Sequence, residues 1–449
     1  MSLQQQVESM PMRNCLAVVS CLWFVAAHAD DQIGIEHGPP QSPRLASLLV
    51  ALDRHEQSAL DTFWKEVEEK HSPLIEEVSN HPHDALYTFL FRADPEADVV
   101  NARLGADFPS RTTNHMDTFQ RLGASNVWYT SYVLPKSSRI VYRIRVPQGL
   151  HPSPQSLVSW TIDGIRYEHF FDPLNPRVFP DTHAPLSYCV GPEARSIPYL
   201  EKQVGVPSGS MEKFEIVTEI LGGKRAVTMY TPAGYNNSSR PRAFVLVFDA
   251  EDYINTVGMP TMLDNMIARS VVSPVVVAFL HTPETRNEDL LPNAKFQAFI
   301  ASELMPWIRK RYRISNDPKL NVVAGASFGG LAATYTAFIH PDIFGNVLSQ
   351  SGSFWWSPSY LKDPAPSPNA GWMIKQVAES PRKPIRFYIT AGSWESAGAL
   401  SANRIIHSVL LGKGNKVDYS EVANGHNYAN VRETLPDGLI ALLGHESQQ

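Results

Sequence analysis

Cysteine is scarce: the chain has three in 449 residues. That excludes a disulfide framework and any four-cysteine metal site. An excess of basic charge is also lacking. Thirty-nine Lys and Arg stand against 45 Asp and Glu, a formal net charge of −6, which argues against a nucleic-acid coat, whose surface must be basic. Beyond the N-terminal region, no segment is apolar enough to cross a bilayer, which takes roughly 20 residues. There is no internal repeat and no low-complexity tract. Metal-ligand spacing is absent as well: His81-Pro82-His83 is too sparse and reads as a surface turn. What remains is a globular composition, 43% hydrophobic and 19% charged, with the length of two or three domains. Proline outnumbers glycine by 35 to 26, which points to many ordered turns rather than a long helical array.

Arg13-Asn14-Cys15 precede an apolar run through Leu16, Val18, Val19, Leu22, Trp23, Phe24 and Val25, which ends in Ala27-His28-Ala29 before Asp30-Asp31. One positive charge, about 13 apolar residues and a small-x-small site describe a secretory signal peptide over residues 1–29. A buried amphipathic helix is the alternative. Cleavage after Ala29 removes Cys15 and Cys21 and leaves Cys189 alone. An exported chain without a disulfide suits the bacterial periplasm, with no membrane span after cleavage. If residues 13–29 are not a signal, the expected location is cytoplasmic.

Residues 30–83 read as a helical arm. Leu45, Leu48, Leu49 and Leu52, then Leu60, Phe63, Trp64 and Val67, recur at helical spacing within 43–80. Such an arm either lies on a domain or serves self-association. From residue 84 the period changes. Leu86–Phe91, Val127–Val133 and the alternating Arg139–Val146 read as strands separated by Pro, Asp and Gly turns. They predict an immunoglobulin-like β-sandwich over 84–204. A linker follows at 205–212, then a hairpin through Phe214–Ile220 and Ala226–Thr231 that opens a domain over 213–449. There, apolar strand runs at 244–248, 275–280, 322–324, 347–349, 385–390 and 417–422 alternate with helical segments near 260–269, 294–312, 329–340, 398–411 and 432–442. Continuous apolar strands between helices mean a mostly parallel sheet covered on both faces. The fold class is α/β, an α/β-hydrolase domain preceded by a sandwich.

Within that domain, strand Val322–Ala324 runs into Gly325-Ala326-Ser327-Phe328-Gly329-Gly330 and then a helix. Gly-x-Ser-x-Gly in this context is a nucleophile elbow. Small neighbours let the backbone turn sharply and lift the hydroxyl over the sheet edge at a helix N-terminus. A serine nucleophile needs a base on a loop after the last strand, and of the 15 histidines only His426, in Asn424-Gly425-His426-Asn427, has both the order and the context. The orienting acid follows an earlier strand. Glu395 fits, with Asp418 and Glu421 as substitutes. The oxyanion hole is expected from the N–H of Phe328 and that of Ala250 or Glu251, in the loop after strand 244–248.

These residues resemble the enterochelin (ferric enterobactin) esterases among the esterase D-like hydrolases. The likeness rests on Gly325–Gly330, on Ser349-Gln350-Ser351-Gly352-Ser353-Phe354-Trp355-Trp356, and on Arg286–Phe296, with Asp289 where that family usually has Glu. Glu303-Leu304-Met305-Pro306-Trp307 and the sandwich-closing Asp172-Pro173-Leu174-Asn175-Pro176 extend it. The resemblance covers roughly 84–443. It implies hydrolysis of the trilactone of a catecholate siderophore, with Ser327 as nucleophile, His426 as base and Glu395 as acid. It implies a small-molecule ester as partner and no cofactor, since iron arrives inside the substrate. A ferric tris-catecholate is anionic and aromatic, so Arg286, Phe354, Trp355, Trp356 and Trp394 are candidate contacts. Two adjacent tryptophans on an extended segment cannot both point the same way, so at least one of Trp355 and Trp356 is expected in the core. Arg286 equally suits a structural pair with Asp289 or Glu303. A feruloyl or acetyl-xylan type esterase and a non-catalytic siderophore-binding protein are the competing readings.

Overall fold

The computed structural model describes residues 41–93, 102–107, 117–147, 158–162, 165–182, 184–237, 239–282, 284–360 and 371–444. The segment read as a signal peptide, with Cys15 and Cys21, lies outside these residues.

Two helices open the described chain, Pro43–Asp53 and Ala59–Lys70. Ser42 caps the first, its hydroxyl accepting from the Leu45 N–H at 3.1 Å. The helical run stops at Lys70, short of the residue 80 that spacing suggests. Leu74–Glu77 is instead an edge strand paired antiparallel with Asp84–Arg92. The first sheet has the order Leu74–Glu77, Asp84–Arg92, Val127–Pro135, Gln120–Arg121. Its central strand Asp84–Arg92 is buried almost throughout, because both faces are covered. Tyr87, Phe89 and Phe91 enter the core between the sheets, and Leu90 packs under Leu45, Leu48, Phe63, Trp64 and Val67 of the helices. The arm therefore lies on the sandwich.

The second antiparallel sheet is centred on Arg139–Pro147, which pairs with Leu186–Val190, Arg103–Ala106 and Ile165–Phe170. Phe89 of one sheet meets Tyr142 of the other edge-on, with centroids 4.8 Å apart. The Tyr142 hydroxyl donates to Asp172 at 2.7 Å and accepts from Asn175 at 2.9 Å. Asp-Pro-Leu-Asn-Pro is thus a buried polar knot that closes the sandwich. Its polar atoms need these partners because they are out of water.

The C-terminal domain holds an eight-stranded sheet. Ser210–Val217 and Lys224–Thr231 form the entering hairpin, so the first strand begins within the stretch read as linker. Next, in spatial order, come Val275–Leu280, Ala243–Phe248, Asn321–Ala326, Asn346–Gln350, Arg386–Gly392 and Val417–Val422, all parallel. Helices cover both faces, and two separate apolar clusters result. One helix, Trp372–Glu379, was not apparent from the sequence. It is short and stands in a proline-rich stretch, which masks its period. The expected helix at 294–312 contains a π-helical turn at Ile300–Leu304. Among the described residues, no helix is long and apolar enough to cross a membrane.

Candidate active site

Ser327 sits between strand Asn321–Ala326 and helix Phe328–Ile339 with φ 56° and ψ −120°. A non-glycine residue rarely adopts this conformation, and it marks a strained turn held by its surroundings. The glycines make it possible. A Cβ on Gly325 would stand 2.5 Å from the Gly329 backbone, and one on Gly330 would stand 2.7 Å from Ser349 Oγ.

The loops after two later strands bring the other two groups in. His426 Nε2 lies 2.9 Å from Ser327 Oγ, and His426 Nδ1 lies 3.0 Å from Glu395 Oε2. Glu395 is buried and its second oxygen accepts from the Gly392 N–H at 2.7 Å. Burial alone would raise its pKa, but the hydrogen bond and charge of His426, with bonds from Ser351 and Gly392, hold it below the ordinary carboxylate value. A carboxylate only accepts, so Nδ1 carries the proton and Nε2 is left to take one from the serine. For His426, burial favours the neutral ring. Glu395, and then Asp107, outweigh burial and the Arg286 charge, so its pKa stands above that of free imidazole. The two substitute acids lie elsewhere: Asp418 pairs with Arg386 and Glu421 with Arg404.

Phe328 opens the helix after Ser327, and its N–H is one of the donors that a helix start leaves over. Ala250 and Glu251 begin the helical turn after strand Ala243–Phe248. Asp249, just before them, has φ 57°. It is clamped by Arg286, Nε to Oδ1 and Nη2 to Oδ2 both at 2.7 Å, and by Thr282 at 2.6 Å. Glu251 binds His281 at 2.8 Å. Arg286 therefore pairs with Asp249 rather than with Asp289 or Glu303. Asp289 takes Arg225, and Glu303 accepts from Thr218 and the N–H groups of Glu219 and Ile220.

A cavity of about 640 Å³ opens over Ser327, with Arg286, Ser351 and Tyr428 in its wall and Asp181 and Thr182 added by the sandwich. The aromatic candidates do not line it. Phe354 and Trp356 are buried in the hydrolase core, after a tight turn in which the Phe354 N–H donates to the Gly352 carbonyl at 2.8 Å. Trp355 is half-buried against Phe328 and Tyr360, with centroids at 6.1 and 4.8 Å. Trp394 leaves its own domain and enters the sandwich core. Burial pushes the Cys189 thiol up to about 12, which removes it as a nucleophile. Among the described residues, no group of three or more metal-ligating side chains stands together.

The sequence did not point to Asp107 or Tyr428. It offered Asp249 only as an acid that fixes its loop, which the structure bears out, and Ser351 only as part of a motif. Asp249 and Ser351 carry one signal, a polar residue at the carboxyl end of a parallel strand, where such sheets bind ligands. Asp107 carries none.

A strained serine elbow, a histidine on the loop after the last strand and a buried acid, set on this parallel sheet, define a serine hydrolase of the α/β-hydrolase fold. The family model described as "Putative esterase" matches residues 218–442, and that described as "Enterochelin esterase, N-terminal" matches residues 86–199. The chain belongs to this esterase family and carries the N-terminal domain of the enterochelin esterases. It is 27% identical over 416 residues to the iron(III) salmochelin esterase of Escherichia coli O6:H1, covering 89% of this chain and 98% of that protein. To the iron(III) enterobactin esterase of Dickeya dadantii it is 26% identical over 422 residues, 88% and 95% of the two chains. The crystal structure of the enterobactin esterase of Shigella flexneri in the presence of enterobactin superposes with a TM-score of 0.67 at 22% identity, over 85% of this chain and 97% of that one. The two-domain fold is shared.

Proposed function

We propose that the chain hydrolyses the lactone esters of an iron(III) catecholate siderophore of the enterobactin type, with Ser327 as nucleophile. The observation that carries this is the Ser327–His426–Glu395 geometry, in a chain aligned over both domains with esterases of that substrate class. His426 Nε2 takes the hydroxyl proton as Oγ attacks the ester carbonyl. Glu395 stabilises the resulting imidazolium. The oxyanion is received by the Phe328 N–H and that of Ala250 or Glu251. His426 then protonates the leaving serine hydroxyl, and water attacks the acyl-enzyme by the reverse sequence.

We infer that arginines of the sandwich attract such an anion toward the site, although none of them lines the cavity over Ser327. Along strand Arg139–Pro147, Ile140, Tyr142, Ile144 and Val146 face the sandwich core, so Arg139, Val141, Arg143 and Arg145 share the other side. That side meets the hydrolase: Arg139 pairs with Glu433 and Val141 packs on Ala429, three residues beyond His426. Arg143 and Arg145 continue the row, with Arg103 directly opposite Arg145. Residues 13–29, read as a signal peptide, support a periplasmic location.

The test is product analysis by mass spectrometry with ferric and iron-free enterobactin and a feruloylated sugar. The wild type should release linear dihydroxybenzoylserine products, and Ser327→Ala should bind the ferric complex without cleaving it. Cleavage of the sugar ester alone would overturn the reading.

A further inference from the structure

Asp107 follows the sandwich strand Arg103–Ala106 and stands 320 positions before Asn427, yet the two touch. Asp107 Oδ2 accepts from Asn427 Nδ2 at 3.1 Å. On the other side of His426, the Asp107 backbone and Cβ press on Gly425. A Cβ built on that glycine would stand 2.0 Å from Asp107 Cβ and 3.0 Å from its carbonyl oxygen. Both neighbours of the histidine thus rest on one sandwich residue. Asn427 passes the contact on. Its Oδ1 caps the last helix by accepting from the Ala429 and Asn430 N–H groups at 3.0 and 3.2 Å, and its Nδ2 also donates to Asn424 Oδ1 at 3.1 Å. The groups facing the imidazole are Glu395 at Nδ1, Ser327 at Nε2, and the charges of Asp107 and Arg286.

We propose that Asp107 is a positioning residue for His426: the sandwich domain clamps loop 424–427 and sets a second carboxylate beside the catalytic imidazole. Burial, and to a lesser degree Glu395, raise the Asp107 pKa, while the bond from Asn427 and the charges of His426 and Arg145 oppose that rise. Proton transfer from Ser327 creates an imidazolium, and ionised Asp107 near it favours that state. The same charge keeps the resting ring protonated to a higher pH, so Asp107 trades activity in acid for transition-state stabilisation at neutral pH. Each domain then contributes one carboxylate to the base.

The inference rests on the serine-esterase reading, and a neutral chromogenic ester, p-nitrophenyl acetate, tests it independently of the siderophore. In Asp107→Asn the acceptor for Asn427 is kept and the charge is lost. The acid limb of kcat/KM should move to lower pH by about 0.5–1 unit, and the plateau should fall two- to tenfold. A nuclear magnetic resonance titration of the His426 ring should show the same displacement. Asp107→Glu, which restores the charge, should return the limb toward the wild-type position. An unmoved limb with activity lowered evenly at all pH values would make Asp107 a structural contact only and overturn the proposal. Ser327→Ala is run beside these variants; full activity there would overturn the esterase reading itself.

Discussion

At the residue scale, the pH response of the base is set by its neighbours. An unperturbed imidazole would give an activity that falls below about pH 6, half-protonated near 6.5. Burial lowers the pKa of His426, but Glu395 and Asp107 raise it further. The neutral ring is the working form, so kcat/KM should fall as pH drops through a value above 6.5. A pH–rate profile checks this, and a flat profile down to pH 5 would remove His426 as the base. Glu395→Gln should cost about 10²–10⁴ in kcat, since an amide at that position permits the wrong tautomer. Single-turnover kinetics would report it, with the Ser327 elbow unchanged.

Ser327, Glu395 and His426 were legible because each carries a local signal and the three keep a chain order that the fold imposes. Phe354 and Trp394 were not, because an aromatic after a strand suits a cavity wall and a core plug equally well in sequence. Of the adjacent tryptophans, at least one was expected in the core, and Trp356 is there. Asp107 could not be read at all. Its partner is 320 positions away and its neighbours form no motif.

At the scale of elements, the loop after strand Ala243–Phe248 depends on one side chain. Asp249 holds a left-handed φ of 57°, and its two oxygens are taken by Arg286 and Thr282. The N–H groups of Ala250 and Glu251 follow directly, so in the proposed mechanism the clamp sets where the one that serves as donor receives the oxyanion. Asp249→Ala and Arg286→Ala should each lower kcat about tenfold or more. If Arg286 acts through Asp249, the double variant should be no worse than either single one. Additive losses in that cycle would make Arg286 a direct substrate contact. A second strand, Arg139–Pro147, bears on binding. Arg143→Ala and Arg145→Ala should raise KM for a ferric catecholate about tenfold each. Turnover of p-nitrophenyl acetate by Arg143→Ala should be unchanged. An equal change for both esters would place Arg143 in stability instead. The strands of the hydrolase sheet were legible because they are apolar along their whole length, as doubly covered parallel strands are. Leu74–Glu77 was not, since an edge strand of four residues with half its side chains outward has no period to detect.

At the scale of the whole molecule, the two domains share their cores. Trp394 of the hydrolase is buried among Phe91, Tyr132 and Phe170 of the sandwich cluster. Phe179 of the sandwich packs with Ala429 of the last hydrolase helix, and the Arg432 guanidinium lies 4.3 Å over its ring. Arg195 reaches Asp437 at 2.8 Å. An interface of this kind gives each domain part of its stability from the other, so heat should unfold them in one transition. Trp394→Ala tests this. It opens a cavity in the sandwich core and should cost about 3–5 kcal/mol, although the residue belongs to the hydrolase chain segment. Because Glu395 follows it directly, the same change should loosen the acid and lower kcat even well below the unfolding temperature. Calorimetry of the variant should show one transition at lower temperature, or the sandwich melting ahead of the hydrolase. A sandwich that melts at the wild-type temperature would mean that Trp394 only fills space between independent domains.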